Sequence, residues 1–481
     1  MSRKHEVNNA QRTRDRLFLG AVAAIVVACL LGGGSSRPDV LSLLYLRPVI
    51  IVAIGAMLYL RGSEIEWRAV HTPLVLLGLM ALLMGIQLVP LPPELWAASP
   101  GHGRLARELA SVGMAQEWRP LSLAPDYTFN SLVALLVPAA AIIAASGLRQ
   151  YERTWIPFVL AGIGIFSALW GTLQLTTGIG YVYQYADDTL PIGLFTNRNH
   201  QAALLAICLP ALRICALHPR TNSGQQLFQS VLCAGTGLYL ILSIILTGSR
   251  SGLLMGIIGL IAAAAIGWGS TNGRDEAADV RRATTTRRKQ RNLRLAIVAG
   301  ITALVVGLGA VTYLSGRGAS FNRLQQFNTI ADDQRITYAP ITLQLTRDFF
   351  PTGIGFGAFD RVYRMNEPDW ALHQSYFNHA HNDLIELAMT GGLVALLLLA
   401  ALLLWVAYAA ITARRAALAI PPAATHASRF AIAAIIILLL GSLSDYPLRT
   451  PVLAMIMGFA GALLAIGVDI ARGAKEPVIH L

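Results

Sequence analysis

The apolar residues of this chain neither alternate with polar ones nor form a narrow stripe at helical spacing. They fall in unbroken runs of about 17–25 residues, the length a helix needs to cross ~30 Å of hydrocarbon. The runs lie near 17–33, 41–60, 72–92, 130–147, 155–176, 200–216, 228–247, 252–269, 295–315, 384–411, 430–444 and 451–469. Hydrocarbon offers no water to unpaired backbone groups, so continuous runs of this kind are read as helices. The pattern therefore predicts an all-α polytopic membrane protein of about 12 transmembrane helices. The first run follows a basic leader and lacks a clear small-residue cleavage site, so it reads as a retained anchor rather than a signal peptide.

Composition agrees with the pattern. Of 481 residues, 55% are hydrophobic and only 13% charged, whereas soluble domains carry about 25% charged residues. Cys29, Cys208, Cys215 and Cys233 all lie inside apolar runs, which argues against structural disulfides and zinc sites.

The formal charge of +12 works mainly as an orientation signal. With the amino terminus in the cytoplasm, the inner loops collect Arg3, Lys4, Arg12, Arg14, Arg16, the run RRATTTRRKQRNLR at 281–294, Arg414, Arg415 and Arg429. The larger share of the 38 Lys and Arg residues falls on that side, as the positive-inside rule requires. A basic run also suits nucleic acid, but this one is flanked by two spans. Both termini are then cytoplasmic, and all three lysines lie inside. Outer-face cations are all arginine, whose planar fork suits bidentate phosphate binding. Two outer loops are long, 93–129 and 316–383, and long loops are usually functional.

Four outer-face clusters carry candidate chemistry. In 316–383, Asp332 and Asp333 precede the helical stretch 335–350, with Ile336, Ile341, Leu345 and Phe349 near helical spacing. Carboxylates suit a helix amino terminus, so the pair reads as a cap in preference to a metal site. Pro351 ends the helix, and the glycines at 353, 355 and 357 permit tight turns, a weak signal for phosphate binding. Next come His379, His381, Asn382, Asp383 and Glu386 at the mouth of span ten. A histidine at a helix amino terminus is biased toward its neutral form and can serve as a general base; a polar cap at the membrane surface is the equally weighted alternative. In LTGSRSGLL (246–254), Arg250 is held in a short turn between apolar helices, as a functional group or a snorkelling one. GLFTNRNHQAALL (193–205) adds Asn197, Arg198, Asn199 and His200. Span interiors hold almost no ionisable residue, which argues against an ion-coupled transporter.

Three of these segments, TGSRSGLL (247–254), QRITYAPITLQLTRDFFPTGIGFGAF (334–359) and HAHNDLIELAMTGGL (379–393), in this order on one face, resemble the O-antigen ligase and Wzy-type polysaccharide polymerase superfamily of bacterial glycosyltransferases. GLFTNRNHQA (193–202) supports the resemblance. It implies a core at 230–405, flanked by a cytoplasmic tail (1–16), amino-terminal spans (17–229), carboxy-terminal spans (406–469) and a second tail (470–481). The implied fold is the membrane-embedded GT-C type, in the bacterial inner membrane with a periplasmic active site. The implied donor is a glycan on undecaprenyl diphosphate. The acceptor is the lipid A core, a lipid-linked repeat unit or, with least support, a protein side chain. Membrane lipid is the setting, and nucleic acid plays no part. Carried over by position, Arg250 and Arg335 hold the diphosphate and His381 is the catalytic histidine. Arg198, Asn199, His379 and Asn382 are assigned to substrate binding. Neither metal nor cofactor is expected, and a single direct attack inverts the anomeric centre. The alternative from another class is a non-catalytic transporter or flippase for the same lipid-linked glycan, which needs midplane polar residues that the spans lack.

Overall fold

The structure, a computed structural model, describes residues 2–114, 116–184, 189–220, 222–266, 334–372, 377–416 and 421–473. In chain order the helices are α1 (Ser2–Gly32), α2 (Leu43–Arg61), α3 (Trp67–Gln87), α4 (Pro93–Ala98), α5 (His102–Ser111), α6 (Pro125–Ala134), α7 (Leu136–Gly147), α8 (Gln150–Arg153) and α9 (Ile156–Thr177). There follow α10 (Arg198–Leu217), α11 (Ser223–Leu246), α12 (Arg250–Ile266), α13 (Gln334–Phe349), α14 (Phe359–Met365), α15 (Asp383–Ala416), α16 (Pro422–Ser442) and α17 (Pro451–Gly473). Two residues each of β1 (Pro90–Leu91) and β2 (Arg119–Pro120) pair antiparallel, Pro90 with Pro120.

Among the described residues, 10 helices are long and apolar enough to cross a membrane. Each coincides with one of the expected runs. The expected span at 252–269 corresponds to the shorter apolar helix α12, and the run at 295–315 lies outside the described residues, as do the basic loop 270–294 and the pair Asp332 and Asp333. All four cysteines are free.

The chain divides into two compact units. The first comprises Met1–Gly147, Phe327–Ile411 and Ser442–Gly458. In it, α2 packs on α1 and α7, and α3 on α6 and α7. The fully buried Arg61 joins three of these helices: its guanidinium meets Asp15 at 2.7 Å, the Gly147 carbonyl at 2.9 Å and the face of Phe18 at 4.5 Å. The expected outer loop 93–129 is ordered around buried His102. Its ring nitrogens lie 2.9 Å from the carbonyls of Pro100 and Leu121, and it packs against Phe349 of α13. The expected helix at 335–350 is α13. Tyr338, Leu345 and Phe349 turn into an apolar core shared with Phe359, Tyr363, Phe377 and Met389.

The first unit also holds a broken helix. Gly392 (φ 62°, ψ −152°) interrupts α15, a backbone state reserved almost wholly for glycine. The carbonyls and amides freed there are taken up by the glycine-rich segment at 351–357. The amides of Ile354 and Gly355 donate to Met389 and Thr390, both at 3.0 Å, and Leu393 donates to Pro351 at 2.9 Å. Gln87, fully buried, donates from Nε2 to the Thr390 carbonyl at 2.9 Å and accepts from the Phe356 amide at 3.2 Å. Gly353 lies so close to the break that a Cβ there would stand 2.6 Å from the Thr390 oxygen. The amides of Gly353, Ile354 and Gly355 are spent on protein carbonyls, so these two glycines serve close packing.

The second unit comprises Leu148–Gln326, Thr412–Gly441 and Phe459–Leu481. Its centre is α10, buried continuously from Asn199 to Leu212 and packed on α9, α11 and α12. Gly164 and Gly252 allow close approach to Cys208 and Ala202 of this helix, the small-residue packing that membrane helices favour. The segment before α10 folds back among the helices. Gln174 exchanges two hydrogen bonds with the Gly193 backbone, at 2.8 and 2.9 Å, and Ser167 donates to Gln201 at 2.6 Å.

Candidate active site

Within the first unit, the residues at the mouth of α15 form two histidine–carboxylate pairs around one aromatic ring. Asn382 caps the helix: its Oδ1 accepts from the amides of Leu384 and Ile385 at 3.0 and 3.2 Å. Immediately before it, His381 adopts φ 49°, the single positive-φ position outside glycine among the described residues. Such a conformation persists only where its surroundings hold it, and it clusters at functional sites.

The His381 Nδ1 lies 3.2 Å from Oδ1 of Asp445, a carboxylate of which 2% of the side chain is exposed. That same oxygen accepts the Tyr446 amide at 3.1 Å. Because an ionised carboxylate only accepts, the proton belongs on Nδ1, and the lone pair of the neutral ring belongs on Nε2. Among the described residues His381 Nε2 has no hydrogen-bond partner, and 21% of the side chain remains exposed.

His379 repeats the arrangement. Its Nδ1 meets Glu386 Oε1 at 3.0 Å, and the other Glu386 oxygen accepts the Ala380 amide at 2.9 Å. Arg449 closes the network, with Nη1 3.0 Å from Glu386 and Nε 3.2 Å from Asp383. Burial drives the His379 imidazole below its ordinary value against the opposing pull of Glu386, and Arg449 and His381 add to the lowering. His379 is therefore neutral near pH 7. Burial alone would favour loss of the Arg449 proton, but Glu386 and Asp383 outweigh it and hold that guanidinium more firmly charged than usual. Both imidazoles pack on Tyr446, with ring centroids 4.2 and 5.0 Å away, and Phe377 lies 5.5 Å from His381.

The structure thus brings His379, His381 and Asn382 together, and adds Asp445, Tyr446 and Arg449, which sequence reading passed over. Their signal was SDYPLRTP at 444–451, two charges in a short turn between apolar runs. Arg335 is the second residue of α13 in the same unit, and its side chain lies outside the described residues.

Within the second unit, the Arg250 turn and the start of α10 adjoin. Arg250 opens α12, and its neighbour Ser249, buried, donates to Asn199 Oδ1 at 2.6 Å. Asn197 caps α10 by accepting the Asn199 amide at 2.8 Å, which sets Arg198 and Asn199 in the first turn. The two arginine-bearing segments, read separately from sequence, are therefore one cluster.

No curated protein matches the chain. Residues 235–400 match the family model described as O-Antigen ligase. That segment runs from α11 into α15 and contains Arg250, Arg335, His379 and His381, while Asp445 and Arg449 come from beyond it. On this match the chain is a multi-pass membrane protein carrying a domain of the O-antigen ligase/Wzy family.

Proposed function

We propose that the chain transfers glycan from undecaprenyl diphosphate to an acceptor hydroxyl at the periplasmic face of the inner membrane, as an O-antigen ligase or a repeat-unit polymerase. The observation that carries this reading is the His381–Asp445 pair, in which His381, a residue of the matched segment, keeps its Nε2 unspent.

The acceptor oxygen attacks the anomeric carbon, and its proton passes to His381 Nε2. The bond from that carbon to the diphosphate oxygen breaks, and its electron pair leaves with the lipid diphosphate. Asp445 holds the Nδ1 proton and steadies the imidazolium that forms, the part a buried carboxylate plays beside a catalytic histidine elsewhere. Charge grows on the diphosphate as it leaves. Arg250 and Arg335 are the groups assigned to it, through paired charge-assisted hydrogen bonds that replace a metal. One displacement inverts the anomeric configuration. Arg198 and Asn199 border the donor through their link to the Arg250 turn.

The test uses purified chain with lipid-linked donor and acceptor lipid. Transfer survives EDTA, and His381→Ala lowers the rate about 10²–10⁴-fold, the usual worth of general acid–base help. Full activity of His381→Ala at normal membrane levels would remove the histidine from the mechanism. Loss of transfer to chelator, with recovery on adding Mg²⁺, would replace the arginine clamp with a metal.

A further inference from the structure

We infer that His379 reads a second hydroxyl of the acceptor sugar, next to the hydroxyl that His381 deprotonates. This rests on the reading of His381 as the base and names what the other half of the same site recognises.

His379 is anchored at one end only. Its Nδ1 is committed to Glu386 at 3.0 Å, and Glu386 is in turn fixed by Arg449 and the Ala380 amide. The proton of a neutral ring then sits on Nδ1, and Nε2 carries a lone pair. Among the described residues that nitrogen has no hydrogen-bond partner, and 13% of the side chain is exposed. The ring packs on Tyr446, as does that of His381, so the two histidines stand against one buried aromatic ring, each with its Nε2 unspent.

The chemistry of that pair selects its ligand. A neutral acceptor nitrogen repels the oxygens of a diphosphate, which carry no proton to donate. A sugar offers several neutral hydroxyl donors, which match the two acceptor nitrogens. Burial keeps His379 neutral, so it stays an acceptor at neutral pH. The Glu386–Arg449–Asp383 network serves to fix the ring against rotation, which is the role of groups behind a recognition residue.

Two amide substitutions separate recognition from architecture. His379→Asn places an N–H where Nδ1 stood and keeps the Glu386 bond, but has nothing at the Nε2 position. His379→Gln reaches the Nε2 position with an acceptor oxygen and gives up the Glu386 bond. Donor and acceptor lipids are extracted from the source bacterium after deletion of this gene, and kcat and KM are measured for each lipid with purified protein. Recognition predicts that His379→Asn raises acceptor KM about tenfold, the worth of one net hydrogen bond, with the effect on KM rather than kcat. His379→Gln then recovers most of the loss. The inference is overturned by an unchanged acceptor KM in His379→Asn, by a rise confined to donor KM, or by His379→Gln performing worse than His379→Asn. Failure of His379→Asn to accumulate in the membrane, with its Glu386 bond available, also counts against it. His381→Ala measured alongside keeps the two questions apart, because a fully active His381→Ala sinks the base assignment whatever the His379 pair shows.

Discussion

Two carboxylate-held arginines of the first unit invite comparison. Arg61 ends α2 and is fully buried, whereas Arg449 follows α16 and is partly exposed, and each is held by carboxylates. Arg61 meets Glu64 at 3.7 Å, and Asp15, the Gly147 carbonyl and the Phe18 ring, which tie α1, α2 and α7 together. Arg449 instead holds Glu386 and Asp383, and Glu386 holds a histidine. The difference lies one bond further out. A buried ion pair is architecture when its partners end in backbone and apolar rings. It becomes part of a site when a partner fixes a titratable ring that keeps one nitrogen unspent.

The comparison is broken most forcefully at Asp445. Asp445→Asn preserves volume but presents an amide that can donate to Nδ1, which would move the imidazole proton to Nε2 and remove the lone pair. Transfer should fall by up to about 10⁴-fold, as it does when the carboxylate of a catalytic triad is converted to its amide, with the purified protein as stable as wild type. Retained activity would show that Asp445 only fastens the loop.

A smaller effect separates the arginines themselves. Removing one partner of a buried ion pair costs about 3–5 kcal/mol, so Arg61→Met should lower thermal stability in detergent by more than Arg449→Met, whose arginine is partly exposed. Activity per folded molecule should survive in Arg61→Met and fall in Arg449→Met. Equal specific activity in both variants would erase the distinction drawn between them.

The smallest effect is in pH. His379 has a folded pKa below the usual 6.5 for histidine, so in the window between the two values the unfolded chain binds more protons than the folded one. Stability therefore rises with pH through that window and declines as pH falls below about 6.5. Acceptor KM should hold steady through pH 6.5 and rise only below it, where the ring finally protonates. His379→Gln, which has no ring to titrate, should lack that rise. The same acid rise in His379→Gln would assign it to another group.

The ten spans among the described residues were legible because hydrocarbon thickness imposes a length on each of them. Helix α13 was legible from Leu345 and Phe349, whose spacing sets its buried face. The break at Gly392 was not, because MTGGL reads as a tolerable helix interior until one sees which carbonyls the segment at 351–357 covers. For the same reason the glycines at 353 and 355 suggested phosphate when their amides were already engaged. Of the histidine centre, the half that is local in sequence was visible: His379, His381, Asn382 and their neighbours. Asp445 and Arg449 lie more than sixty residues away, and pairing across such a distance leaves no local trace in a single sequence. A stricter rule would have found them. Any charged residue that interrupts two closely spaced apolar runs needs a partner, and SDYPLRTP contains two.

The interruption in α15 has a consequence for life in a bilayer of variable thickness. Below Gly392 the helix continues from Leu393 to Ala416, a stretch of about 36 Å at 1.5 Å per residue, already enough to cross the hydrocarbon unaided. The roughly two and a half turns of helix before the break, with Asp383 and Glu386, are surplus to the crossing. A helix longer than its membrane tilts or bends to hide the mismatch, and an unbroken α15 would swing its amino-terminal end whenever lipid composition changed. With the join at glycine and the upper piece tied to Gln87, the glycine loop and Arg449 instead, tilt of the lower piece is absorbed at the joint. The two histidines are in this way referenced to protein rather than to lipid.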